Sequence, residues 1–356
     1  MGRVTIQTIA KEANVSVGTV DRALNNRARI SEATRRRVLE TAERLGYHPN
    51  KIASALGRQR KLRIAAITPC KPFFFYEHIR DGFEDAIKET LDYGVSVDQI
   101  LCESLSVEDQ KKVLETLDYS EYDGIVLNAG GDALTPYINR FVEGGVPVVT
   151  FNSDAKNSKR LIFVGEDPLL SGQLAGEMMG RLLGGKGRVA IMTSFFHPGA
   201  AMDRRDGFKD ALKRYPGIEI VGEYEYSDDE DKAFTVVCDI MRTYPDLNGI
   251  FSNSATGSYA CGKYAYEQFA PEAHPVLIGY DVTESVEYYL KNGYFDMAID
   301  QQPRRQSYYA IMLMYRYLTE HWQPEASEYV IRVNMVMRYN AEEHSMARTL
   351  KSNILI

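Results

Sequence analysis

The chain has 356 residues, more than one ordinary hydrophobic core accommodates, so two or three domains are expected. Its 44% apolar and 26% charged residues suit a globular protein, and no apolar run approaches the length of a membrane-spanning helix. Residues 1–61 hold 13 lysines and arginines against 5 acids, a net of +8; with −7 overall, residues 62–356 carry −15, so only the head suits a polyanion.

The opening "MGRVTIQTIAKEANVS" lacks the apolar core of a secretory signal. Four scattered cysteines, Cys70, Cys102, Cys238 and Cys261, form neither a disulfide framework nor a metal spacing. The expected location is therefore cytoplasmic. Ile6, Ile9, Ala10 and Ala13 recur at helical spacing and predict a first short helix after Thr5. "ANVS" turns the chain, and Ser16 is a good N-cap for a second helix, "SVGTVDRALNN", with Val20 and Leu24 on its inner face. "ISEATRRRVLETAERLGY" predicts a third helix capped by Ser31, lined by Val38, Ala42 and Leu45, and stopped by Gly46 and Pro49. Three short helices with a tight turn before the second make a helix-turn-helix, whose second helix enters the DNA major groove. There Val17 can touch a thymine methyl and Arg22 can grip a guanine edge through two hydrogen bonds. Thr8, Ser16, Thr19, Asn25, Arg27 and Arg29 suit phosphates, while Gly18 leaves room for close approach.

Beyond the basic link "GRQRK", the runs "LRIAAIT", "GIVLN", "VPVVTF", "GRVAIM", "NGIFSN", "HPVLIGYD" and "FDMAID" read as buried strands. Helix-length segments such as "EHIRDGFEDAIKETL", "PLLSGQLAGEMMGRLL" and "MDRRDGFKDALKRY" separate them. This alternation predicts α/β architecture, two doubly wound parallel lobes. Arg-Asp-Gly-Phe occurs in two of the helices, consistent with lobes of similar construction. Ligands bind past the carboxyl ends of such strands, which singles out Lys71, Phe73, Phe74, Asn128, Asp132, Asn152, Asn253, Asp281 and Gln301. Amides and carboxylates beside aromatic faces suit a polyol; turn formation by the Asn and Asp residues, and core packing by the phenylalanines, are the plainer alternatives.

"IAKEANVSVGTV", "RALN", "ISEATRRRV", "LGYHPN" and "IASAL" resemble, in order and spacing, the DNA-binding head of the lac repressor/galactose repressor family. The resemblance places Val17, Gly18 and Arg22 at base-reading positions and adds Thr5, Asn50 and Ala53 to the DNA contacts. It makes "NKIASALG" a hinge helix whose Leu56 wedges into the minor groove. Asp21 departs from the family's small hydroxyl residue; it accepts from cytosine or pairs with Arg22. The landmarks "KPFF", "GVPVVTFNSD", "FVGEDPLLSGQLAGE", "MDRRDGF", "IFSNS", "IGYD" and "DQQP" are similar to the family's effector body, a type I periplasmic-binding-protein-like fold of the ribose or inositol branch. That likeness adds Arg204 to the cleft, and "SFFHPGAAM" brings Phe195, Phe196 and His197 to its mouth.

The organisation expected is a head at 1–49, a hinge and linker at 50–61, a body at 62–340 and a tail at 341–356. The lobes are expected at about 62–160 plus 292–323 and about 161–291 plus 324–340. The resemblance implies a homodimer on palindromic operator DNA, a repressor controlled by a monosaccharide or polyol, neutral or mildly acidic. The alternatives are an activator or co-repressed regulator responding to a phosphorylated or acidic sugar and, behind it, a sugar-binding transport receptor; no membrane partner is expected. No catalytic constellation, metal spacing or cofactor motif emerges: the six histidines are scattered, and "GGKGR" lacks the spacing of a phosphate loop.

Overall fold

The computed structural model describes residues 6–24, 29–45, 61–196, 199–320 and 322–344. In the head, α1 (Ile6–Glu12), α2 (Val17–Leu24) and α3 (Glu32–Arg44) enclose one small core. Ile9, Val20 and Val38 are fully buried there, joined by Ala10, Ala13, Ala23 and Ala42. An eight-residue helix is marginal alone, so α2 exists because its inner face docks on α1 and α3. Ser31 caps α3 by accepting from the Thr34 N–H at 3.2 Å.

The body begins with β1 (Leu62–Pro69), α4 (Phe73–Thr90) and β2 (Val95–Cys102). It continues through α5 (Val107–Thr116), β3 (Gly124–Leu127), α6 (Thr135–Glu143), β4 (Val148–Phe151) and β5 (Ile162–Gly165). The second unit runs α7 (Pro168–Leu182), β6 (Lys186–Thr193), α8 (Ala200–Leu212), β7 (Gly217–Glu225), α9 (Glu230–Thr243) and β8 (Gly249–Ser252). Next come α10 (Ala255–Gln268), β9 (Val276–Tyr280), α11 (Glu284–Asn292), β10 (Met297–Asp300), α12 (Pro303–Glu320), β11 (Glu328–Val330), β12 (Asn334–Val336) and α13 (Ala341–His344).

Two six-stranded sheets result, ordered β11-β5-β4-β3-β1-β2 and β12-β10-β9-β8-β6-β7. The orders correspond strand for strand, and every pairing is parallel except β10 with β12. This is the doubly wound arrangement, with its switch points beside β1 and β6. The central strands β3, β4, β8 and β10 are buried along their whole length, as the Ile- and Val-rich runs require. The repeated Arg-Asp-Gly-Phe has a packing cause. A Cβ on Gly82 would stand 2.2 Å from the Arg304 carbonyl oxygen in α12, and one on Gly207 2.1 Å from that of Leu169 in α7. Each glycine thus lets its helix close onto a neighbour, and Phe83 and Phe208 follow it fully buried.

The expected lobe boundaries need correction. β5 pairs with β4, Val149 opposite Ile162, so the first lobe runs past residue 160. β10 pairs with β9, Met297 opposite Ile278, and belongs to the second lobe although it was expected in the first. β11 returns to β5 in the first lobe. The chain therefore crosses between lobes after Gly165, after Asp300 and between Val330 and Asn334. Residues 341–344 are no separate tail: Ala341 is fully buried in the second lobe's core, and His344 Nδ1 lies 3.3 Å from Asp300 Oδ2.

Candidate functional site

The head presents a prepared surface. Ser16 Oγ accepts from the Thr19 N–H at 3.1 Å and lies 2.9 Å from Thr19 Oγ1, so both hydroxyls are used in capping α2. Val17 is 48% exposed, and Gly18 and Arg22 are exposed beside it. Among the described residues a Cβ at Gly18 would meet nothing closer than Ser16 Oγ at 3.9 Å, so no packing among them requires glycine. Arg22 has no ion pair among the described residues. Thr8 is exposed and Asp21 half-buried, and Arg29 is exposed with φ of 71°. Thr5, Asn25, Arg27, Asn50, Ala53, Leu56 and His197 lie outside the described residues.

Between the lobes, residues from both switch points line a cavity of about 70 Å³. Asn152, just past β4, and Asp281, just past β9, have φ of 61° and 66°. These left-handed conformations, which Asn and Asp tolerate best, turn the chain at the strand ends and leave both side chains buried at the cavity wall. Asn152 Nδ2 donates to Gln301 Oε1 and Gln306 Oε1, each at 3.0 Å. Gln301, at a lobe crossing, also accepts from Arg204 at 2.8 Å and donates to Asp281 Oδ2 at 3.0 Å. Asp281 Oδ1 has no hydrogen-bond partner among the described residues.

Arg204 is 6% exposed and lies 4.1 Å above the Tyr280 ring. Its Nε donates to Glu166 Oε1 at 2.6 Å, and its NH1 donates to the Asn253 carbonyl at 3.0 Å. Burial opposes the guanidinium's charge, but Glu166, Tyr280 and Asp281 more than offset it and raise its pKa. Asp281 behaves oppositely. Burial pushes its carboxyl up to about 8, against the pull of Arg204 and Gln301, so the acid is largely protonated at neutral pH.

Arg204, Asn152, Phe195, Asp281 and Gln301, proposed from sequence, all line this cavity. The others do not. Asn253 spends its amide internally, accepting from the Ser194 N–H at 3.0 Å and donating to Thr193 Oγ1 at 2.7 Å and the Ala201 carbonyl at 2.8 Å. Asn128 stands one layer behind, with Nδ2 3.4 Å from Asn152 Oδ1. Asp132 lies in a neighbouring chamber and accepts from Asn157. Lys71 is an exposed partner of Glu103 at 2.9 Å. Phe73 is 61% exposed beneath Arg80, and Phe74 bridges the lobes with its ring centroid 6.4 Å from that of Tyr259.

The aromatic wall comes instead from Phe75 and Tyr76, because α4 starts at Phe73 and its inward face begins two residues later. Burial, reinforced by Asp228, holds the Tyr76 phenol protonated, its pKa well above the usual value. Asp228, Ser254 and Thr256 complete the far side, with Ser254 donating to Asp228 Oδ1 at 3.1 Å. Burial raises the pKa of Asp228, and the Thr256 and Ser254 hydroxyls oppose that rise. Asp228 was missed because it follows β7, an edge strand with no continuous apolar run. Chemically the cavity offers hydrogen-bonding amides, carboxyls and a phenol between aromatic faces, a combination suited to a polyhydroxylated ligand.

Comparison with known proteins follows the same division. Residues 5–50 match the family "Bacterial regulatory proteins, lacI family", and residues 64–321 match "Periplasmic binding protein domain". The probable HTH-type transcriptional repressor ExuR of Bacillus subtilis is 32% identical over 228 residues, 63% of this chain and 64% of its own length. The ribose operon repressor of Halalkalibacterium halodurans is 27% identical over 70% of this chain and 71% of its own. An ABC transporter solute-binding protein of Burkholderia graminis, solved with D-arabinose, is 25% identical with a TM-score of 0.75, over 81% of this chain and 99% of that one. The chain spans just under two thirds of ExuR's length.

Proposed function

On the premise that the chain belongs to the lacI family of bacterial regulatory proteins, with a periplasmic binding protein domain as its body, we propose that it is an effector-controlled transcriptional repressor. The observation that carries this reading is the joint presence, in one chain, of an exposed α2 face and a two-lobed polyol cavity. Val17 and Arg22 read base edges, while Gly18 admits close approach. Thr5, Thr8, Asn25, Arg29 and Asn50 contact phosphates, and Ala53 and Leu56 act at the minor groove. Two such heads, held as a homodimer through the body, fit the half-sites of a palindromic operator in the cytoplasm.

The effector is a sugar or polyol whose hydroxyls bridge Asn152 and Tyr76 of the first lobe to Asp281 and Asp228 of the second. Its differential affinity for the closed arrangement supplies a coupling of about 1–3 kcal/mol to operator binding. An acidic sugar is disfavoured: Arg204 is the one basic side chain lining the cavity among the described residues, and Glu166 already meets its charge. A transport receptor would use the same cavity, and the match of residues 5–50 favours the regulator. The relatives named above are regulators and a binding protein, and no enzymatic role is proposed.

The test combines a thermal-shift screen of sugars and polyols with fluorescence anisotropy on duplex DNA. A ligand at about 100 times its Kd should stabilise the protein by about 2.7 kcal/mol and change its affinity for a selected operator. A screen hit that leaves DNA affinity unaltered would reject effector control.

A further inference from the structure

Four residues that do not line the polyol cavity join the two lobes beside it. Lys156 of the first lobe and Asp203 of the second form an ion pair, Nζ to Oδ2, at 2.8 Å. Phe74 of the first lobe meets Tyr259 of the second, with ring centroids 6.4 Å apart. Each sits close in sequence to a cavity residue. Lys156 follows Asn152 by four positions, Asp203 precedes Arg204, Phe74 precedes Phe75 and Tyr76, and Tyr259 lies one helical turn beyond Ala255.

The two contacts grip the cleft from opposite faces. Each sheet carries helices on both sides, as the doubly wound arrangement requires. Phe74 packs on the first-lobe core formed by α4 and α12, around Phe83 and Ile311, and Ala255 at the start of α10 is buried in that same core. Tyr259 packs on the second-lobe core under α9, α10 and α11, around Val237, Ala260 and Val286. Lys156 instead follows Ala155, which is fully buried in the first lobe's other core with Leu114 of α5 and Ile138 of α6. Asp203 stands on α8, whose Phe208 packs with Met179 of α7 on the remaining second-lobe face. One contact therefore joins the α4 side to the α10 side, the other the α6 side to the α8 side, and the cavity lies between them.

The ionic contact is built on fixed supports. The Asp154 and Arg160 side chains, each 6% exposed, pair at 2.6 Å, and Thr150 Oγ1 donates to Asp154 Oδ1 at 2.6 Å, so the turn that carries Lys156 is held in place. Asp203 belongs to the first turn of α8, its N–H donating to the Gly199 carbonyl at 3.1 Å. The hydrogen bond with Asp203 raises the pKa of Lys156 against the opposing effect of burial, so the ammonium keeps its charge.

We propose that these two contacts, Lys156 with Asp203 and Phe74 with Tyr259, are clasps that hold the lobes closed and so set the affinity of the cavity for its effector. The four are positioning residues: none lines the cavity, and each carries its neighbouring cavity residue into place as the lobes meet. Because the clasps act without touching the ligand, they shift the balance between open and closed arrangements before it arrives, and apparent affinity follows the closed fraction. This extends the effector reading above and rests on it for the ligand alone.

Small-angle X-ray scattering on the full chain, paired with calorimetry using D-arabinose, glucose and inositol as probes, tests the ionic clasp. Lys156→Glu sets two carboxylates face to face where an ion pair stood. At about 0.01 M salt the variant should show a larger radius of gyration than the parent, and about three- to tenfold weaker binding of whichever probe the parent binds, with its thermal midpoint little changed. About 1 M salt, which shortens the Debye length from about 30 Å to about 3 Å, should remove most of both differences. Lys156→Glu/Asp203→Lys should restore the parent's values at low salt. Matching scattering of Lys156→Glu and parent at low salt overturns the proposal, and so does an expanded variant that the second substitution fails to contract. If none of the probes binds, the carbohydrate reading falls on its own, and the scattering comparison still decides the clasp.

Discussion

Replacing Asp281 by asparagine should stabilise the ligand-free protein at about pH 8.5 and leave it nearly unchanged at about pH 3.5. The carboxyl is 1% exposed, and burial sets its pKa at about 8, against an ordinary value of about 3.9. Between those values the folded chain holds a proton that the unfolded chain releases. Stability from this group is thus full below about pH 4 and is lost as pH rises towards about 8. Four pKa units at about 1.4 kcal/mol each set a ceiling of about 5.6 kcal/mol. Reorganisation around the buried charge reduces this to about 2–4 kcal/mol. Asparagine keeps the shape, can still accept from Gln301, and has no proton to lose. Thermal midpoints of both proteins across this pH range should converge in acid and separate by several degrees in base, the variant higher. Parallel profiles would mean that Asp281 ionises like an exposed aspartate, and the account of the cavity would fail.

The same carboxyl governs ligand binding. Hydroxyl donors favour its charged form, so polyol binding should release a proton near neutral pH, measurable as a buffer-dependent binding enthalpy, and affinity should rise with pH towards about 8. Arg204→Ala leaves the Glu166 carboxylate buried without its cation and should cost about 3–5 kcal/mol of stability; pairing it with Glu166→Gln should recover much of that in thermal melts. Arg22→Ala should weaken operator binding by about 1–3 kcal/mol and relax preference at one base pair, with nonspecific binding little changed in anisotropy titrations.

Much of the fold was legible because central parallel strands are continuous apolar runs. β3, β4, β8 and β9 announce themselves in "GIVLN", "VPVVTF", "NGIFSN" and "HPVLIGYD". β2 and β7 did not, since edge strands mix charged residues into half-exposed faces: "VSVDQILC" and "GIEIVGEYE". β11 and β12, three residues each, are too short for any period, and the lobe crossings they define were misplaced accordingly. Within the cavity, Asn152 and Asp281 were visible as polar residues just past strand ends. Asn253 occupies an equivalent place yet spends its amide on backbone and Thr193, a distinction that only three-dimensional neighbours make. Phe73 was chosen over Phe75 and Tyr76 because the start of α4 sets which residues face inward, and Pro72 conceals that start from periodicity alone.

The return of β11 and β12 to different sheets has a consequence for synthesis. Translation delivers the head first, as one contiguous unit whose core needs nothing beyond α3. The sheets are completed in the opposite manner: the outermost strand of one is Glu328–Val330 and of the other Asn334–Val336, so both lobes wait for residues 328–336 to emerge from the ribosome. A nascent chain stalled before that point would carry a finished DNA-reading head on an unfinished sensor. On the proposed reading, such a product would present the base-reading face without the body that pairs two heads, and would bind an operator weakly and without effector control.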